Sequence, residues 1–206
     1  MIEPPLPPGR LTGQVRFLLE ADLLKSVLRR TLISDSSRYE NSAEHSWHTA
    51  LFALVLSEHA REPVDVSRVV AMLVLHDLVE IDAGDTYVYD DAALATKATR
   101  EQAAADRLFE LLPADQRHIL RGLWEEFEAR ESADSRFANA VDRLAAVLLN
   151  YVGRGGAWQT HGVSARQVRD RNAAVGQAAP ALGELVRAVV EDSVARGWLP
   201  EGTACP

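Results

Sequence analysis

Cysteine is nearly absent from this chain. The single copy, Cys205, sits beside the final residue, so no disulfide can form within the chain and a cysteine nucleophile in its body is excluded. Cations are outnumbered, with 22 Lys and Arg against 30 Asp and Glu and a net charge of −8. Without a lysine-arginine stripe, a nucleic-acid polymer is not the expected partner. A small phosphorylated substrate stays open, because it needs only one or two placed arginines and a metal. Long apolar runs are missing too. None exceeds the seven residues of Val69 to Leu75, far short of the roughly 18 residues of a membrane span. The opening MIEPPLPPGR lacks the apolar stretch of a signal peptide, so the cytoplasm is the expected compartment and no membrane partner is implied. Linkers rich in Gly, Pro or Ser are also lacking.

What is present fits one globular unit: 206 residues, 47% hydrophobic and 25% charged, enough for a sizeable core. The expected organisation is a flexible arm over 1–10, where four prolines prevent regular structure, a helical domain over 11–200, and a tail over 201–206. Helical periodicity runs through about 11–32, 43–61, 65–81, 93–112, 114–129, 132–151, 164–178 and 181–197, with no convincing strand. The expected fold is all-α, a helical bundle. In the first segment Lys25, Arg29 and Arg30 suit the negative end of a helix, and Arg30 alternatively points into a site. Lys97 and Glu101, four apart, read as a surface pair. Trp47 reads as core or subunit packing.

The stretch VDVSRVVAMLVLHDLVEIDAGD, residues 64–85, concentrates the chemistry. Asp65 or Ser67 can cap a helix whose apolar residues cover every face, which predicts complete burial. His76, Asp77 and Glu80 sit inside that setting. A buried carboxylate must be hydrogen-bonded, paired with a cation or bound to metal. His76 and Glu80, four apart, share a face. Two other helices also place a ligand type beside an apolar face: His45 in the second and Asp142 in the sixth. Singly, each has an ordinary structural explanation. Together they match the way helical bundles build metal sites from facing helices. Two imidazoles and two carboxylates leave a divalent ion open positions, and that N/O set suits Mn, Fe, Co, Ni or Zn.

The segments ENSAEHSWH (40–48), LVLHDLVEIDAGDT (73–86) and AVDRLAA (140–146) carry a resemblance. The order of a His, a His-Asp pair and a distant helical Asp resembles the HD-domain metal-dependent phosphohydrolases. The subgroup is that of the bacterial 5′-deoxynucleotidases, and the likeness runs from about Leu24 through Leu149. It implies a helical bundle, one divalent metal per site and a homodimer. The implied ligands are His45, His76, Asp77 and Asp142. Glu80 matches the family's catalytic Glu, Asp85 the acid of its GD motif, and Arg30 a phosphate-contacting Arg. Those nucleotidases follow that Arg with Trp; this chain has Thr31.

The expected reaction is removal of phosphate from a small metabolite, first a (deoxy)nucleoside 5′-monophosphate. Glu80 would orient the attacking water and Asp85 would protonate the leaving alkoxide. A non-catalytic metal- or nucleotide-binding regulatory domain is the alternative. A diiron oxygenase ranks below both, since only His118 stands between the HD pair and Asp142.

Overall fold

Segment 11–32, expected as one helix, is three different structures. The computed structural model describes residue 5 and residues 7–202. Positions 1–4 and 6 of the expected arm, and 203–206 of the expected tail with Cys205, lie outside the described residues. Helix α1 (Arg10–Ala21) packs Phe17 on Phe109, their centroids 6.1 Å apart. A 3-10 turn follows over Asp22–Ser26, and Val27 is already extended. Residues Leu28–Leu32 are strand β1, paired antiparallel with β2 (Tyr39–Asn41) across an irregular register of Leu28 to Asn41 and Leu32 to Tyr39. The all-α expectation therefore holds for the architecture but missed this hairpin. Its strands bond to a partner about ten residues away, and no local periodicity reveals that bond. Alternation in β1 turns Arg29 and Thr31 inward while Leu28 and Arg30 are exposed.

β2 runs directly into helix α2 (Ser42–Leu56). The Asn41 side chain accepts from the Glu44 N–H, and Glu44 returns a bond to the Asn41 N–H, forming a capping box. Helix α3 (Val66–Leu75) starts on Asp65, which accepts from the Arg68 N–H. It stops short of the expected Ile81: residues 76–79 are turns, with Leu78 N–H bonded to Leu75 O and Glu80 N–H to Asp77 O, before the short α4 (Glu80–Ala83). Nor is α3 buried all round, since Val74 is 50% exposed. Gly84, at φ 72, ends α4.

The remaining helices are α5 (Asp91–Glu110), α6 (Ala114–Ala129), α7 (Ala133–Val152), α8 (Gly156–Thr160), α9 (Ala165–Ala178) and α10 (Pro180–Ala195). Helix α7 is the axis of the bundle. It packs against α2, α3, α6, α9, α10 and β1, with Phe137, Val141, Leu144 and Ala145 sealed from solvent. Residues 153–162, between the expected helices 132–151 and 164–178, hold α8, which buries Trp158. Leu18, Leu28, Leu51 and Ile119 are exposed despite their apolar side chains.

Helices α9 and α10 meet most closely at Gly176 and Gly183. A Cβ on Gly183 would sit 2.4 Å from the Gly176 Cα, which is backbone and cannot rotate away. Gly183→Ala should therefore push the two helices apart and destabilise the protein by about 1–3 kcal/mol. Urea denaturation measures this; an unchanged midpoint would show that the crossing is loose.

Candidate metal centre and active site

Two elements converge on α7. His45, fully buried in the first turns of α2, places Nε2 2.8 Å from Asp142 Oδ1. His76, at the end of α3, places Nε2 3.7 Å from the same oxygen. One ligand atom from each of His45, His76 and Asp142 lies within 4.8 Å of the others. Asp77 stands at the edge of this group, its Oδ1 3.0 Å from His76 Nε2 and its Oδ2 held by Arg29 Nη1 at 2.8 Å.

The residues fit a divalent cation. The His76 Nδ1 lies 2.8 Å from Leu73 O, and a proton there satisfies that carbonyl. The neutral ring then directs the lone pair of Nε2, a buried atom with no hydrogen bond, toward the group. Behind His45, Glu40 Oε2 lies 3.2 Å from Nδ1, the arrangement by which a carboxylate orients and strengthens a metal-ligating imidazole. The charge balance agrees. Glu40, Asp77, Glu80, Asp85 and Asp142 crowd one region, with Arg29 among them.

That crowding sets the proton affinities. Burial, then the charge of Asp77, pushes Glu80 well above the usual carboxylate range despite Arg29 and a 2.6 Å bond from Ser42 Oγ. Burial likewise raises Asp85, with Arg29 opposing and Asp77 adding to it. Asp142 moves the other way: burial opposes ionisation, but the two imidazoles hold it well below the ordinary range. For His76, burial disfavours the cation, yet Asp77 and Asp142 prevail and raise it to about 9.

His76, Asp77 and Asp142 lie on the wall of a 290 Å³ cavity lined also by Arg29, Arg30, Glu80, Asp85, Tyr87 and Tyr89, with His45 buried behind them. Arg30 sits at the rim, half exposed, 3.9 Å from Asp90 and over the Tyr87 ring at 5.3 Å. The interior cation is its neighbour Arg29, which the sequence reading had assigned to a helix end. Lys97 and Glu101 are likewise not a surface pair. They are bonded at 2.7 Å, Glu101 is buried, and both line the cavity. Arg38 grips Glu44 on the surface. Glu40 was also missed; its place in the ENS run before His45 was the available signal.

A family model described as HD domain matches residues 21–183. This chain is an HD-domain protein. Human 5′-deoxynucleotidase HDDC2 is 30% identical to it over 135 residues, covering 65% of each chain, and the Mus musculus protein of that name is 28% identical over 68% of this chain and 69% of its own. The chain thus spans just under two thirds of the human relative's length. The crystal structure of a predicted metal-dependent phosphohydrolase from Magnetospirillum magnetotacticum MS-1 superposes with a TM-score of 0.90. It has 48% identity and covers 97% of this chain and 100% of that one. A conserved hypothetical protein from Pyrococcus furiosus, 19% identical with a TM-score of 0.59 over 88% of this chain and 99% of its own, shares the fold.

In metal-free protein the His76 pKa of about 9 lies above the 6.5 of an unfolded histidine. Its interactions therefore stabilise fully below pH 6.5 and fade as pH rises through about 9. NMR titration of the metal-stripped chain should place the His76 midpoint near 9; a midpoint at or below 6.5 would contradict this. A divalent ion competes with that proton, so its affinity should rise with pH over the same interval.

Proposed function

We propose that this HD-domain protein is a metal-dependent phosphoric monoester hydrolase whose substrate is a (deoxy)nucleoside 5′-monophosphate. The observation that carries the reading is that the His45, His76 and Asp142 group opens through His76 and Asp142 onto a cavity that two carboxyls of raised proton affinity also line. A structural metal needs no such acids. The relatives' names and the Magnetospirillum structure support the same chemistry.

His45, His76, Asp142 and Asp77 would hold a Mn, Co, Fe, Ni or Zn ion, with Arg29 orienting Asp77. Such an ion supplies Lewis acidity toward phosphoryl oxygens and activates water. The protein's own groups do the rest. Phosphoryl transfer depends on positioning and charge stabilisation, and Arg29 inside the cavity with Arg30 at its rim provides fixed positive charge. Glu80, anchored by Ser42, orients the attacking water. Asp85, on the residue after Gly84, delivers a proton to the leaving 5′ oxygen. The expected domain over 11–200 acts as one such unit, in the cytoplasm.

Phosphate release from a panel of 5′-monophosphates, with metal returned to stripped protein, tests the reading. His76→Ala and Asp77→Ala should abolish release, and Glu80→Gln should lower kcat by about 10²–10⁴-fold. Absence of release from folded, metal-loaded protein would reject it.

The working form is proposed to be a homodimer. Trp47, Leu51, Leu54 and Val55 occupy one exposed face of α2, and Trp47 is 67% exposed. Burying such a patch stabilises association by about 25 cal/mol per Å² before the costs of binding. Light scattering should find a dimer that Leu54→Glu converts to monomer; a monomeric wild-type chain would end the proposal.

A further inference from the structure

The cavity does not end at the metal ligands. One face of α7, carrying Asn139, Asp142, Arg143, Ala146, Val147 and Asn150, lines it along its length. Asp142 and Arg143 are adjacent, so their side chains diverge by about 100° around the helix. Asp142 turns to the two histidines, whereas Arg143 turns to α9, where Nη1 donates to the Arg171 carbonyl. Arg171 itself lines the same end of the cavity and reaches Asp91 in the first turn of α5. Arg130, in the left-handed conformation that closes α6, also lines it.

Acidic groups are in surplus, 30 against 22, and several arginines elsewhere pair with them: Arg68 with Glu126, Arg107 with Asp82, Arg121 with Glu125, Arg136 with Glu62. Among the described residues no carboxylate lies within ion-pair distance of Arg143 or Arg130, and the carboxylate of Arg171 is on an exposed residue. Arg143 is half-buried with Arg130 and Arg171 near it, so like charges repel there and the Arg143 guanidinium loses hydration. An anion entering the cavity relieves both costs. Neutral hydrogen-bonding groups complete the setting, since the Tyr89 hydroxyl lies among Trp158, Asn172, Arg143 and Arg171.

We propose that this end of the cavity is a second anion subsite, formed by Arg143, Arg171 and Arg130, and that the preferred substrate carries a second phosphate beside the one removed. A nucleoside 3′,5′-bisphosphate has that chemistry. The inference rests on the phosphomonoester reading above. Guanidinium groups suit a phosphate dianion because they combine fixed charge with forked donors; an uncharged base edge would leave the repulsion in place. In the reaction, water adds to the 5′ phosphorus, the P–O5′ bond breaks, and the leaving oxygen takes a proton. The second phosphate is bound and unchanged.

The test compares kcat/KM for adenosine 5′-monophosphate and adenosine 3′,5′-bisphosphate on the metal-loaded full chain. The bisphosphate should be favoured by about tenfold or more, the worth of one charge-assisted hydrogen bond, mainly through KM. Arg143→Met should reduce that ratio about tenfold, as should Arg171→Gln, whose side chain is 38% exposed and can be exchanged without opening the core. A wild-type ratio at or below one overturns the proposal. So does a ratio unchanged in both variants, or a preference for guanine over adenine monophosphate that Arg143→Met abolishes, which would make the cluster a base reader. Calorimetry of adenosine 3′,5′-bisphosphate with metal-stripped protein separates the two readings. Binding weakened by Arg143→Met without turnover of either nucleotide under any metal sinks the phosphatase reading and retains the subsite. No binding, with monophosphate turnover intact, sinks the subsite alone.

Discussion

Too much negative charge is buried beside α7 for the chain's own cations to neutralise, and much of the structure follows from that. Glu40, Asp77, Glu80, Asp85 and Asp142 arrive from five segments, while Arg29 bridges Asp77, Asp85 and Glu40. Desolvating carboxylates together is costly, and the cost falls only if they take up protons or share a cation. Glu80 and Asp85 take the first route, and Asp142, flanked by imidazoles, takes the second. Groups held in these two ways beside one another are what proton transfer and metal binding each require. The proposed hydrolysis would use both.

Much of this was legible from residue types and helical spacing. His45 and Asp142 stand on apolar helices and His76 directly follows one, so their faces could be read and their convergence anticipated. Arg29 could not be placed. Within a helix, Arg29 and Arg30 differ by 100°; within a strand they point to opposite sides, and the choice depends on pairing between β1 and β2. One misjudged element exchanged the interior arginine for its neighbour. The break after Leu75 escaped notice for a related reason. HDLVEI contains no residue that forbids a helix, and the tight turns there follow from tertiary contacts rather than propensity.

The C-terminal third, which carries none of the recognisable motifs, shapes the far wall of the cavity through Trp158, Arg171 and Asn172. Lys97 and Glu101 teach the same lesson from α5: a spacing typical of surface pairs says nothing about which side of the helix meets a hollow. Motifs marked the reacting end of the site. The end that would distinguish one substrate from another had to be found in three dimensions.

The hairpin formed by β1 and β2 has a further consequence. Two short strands are marginal alone, and this pair holds its place by sending Arg29 and Glu40 into the charged interior. An ion that settled the carboxylates would also settle the strands that carry their partners, so the order of the hairpin would be linked to occupancy of the metal centre. Through Asn41 that linkage would reach the first turn of α2, giving the ion the part of a keystone for backbone that it does not touch.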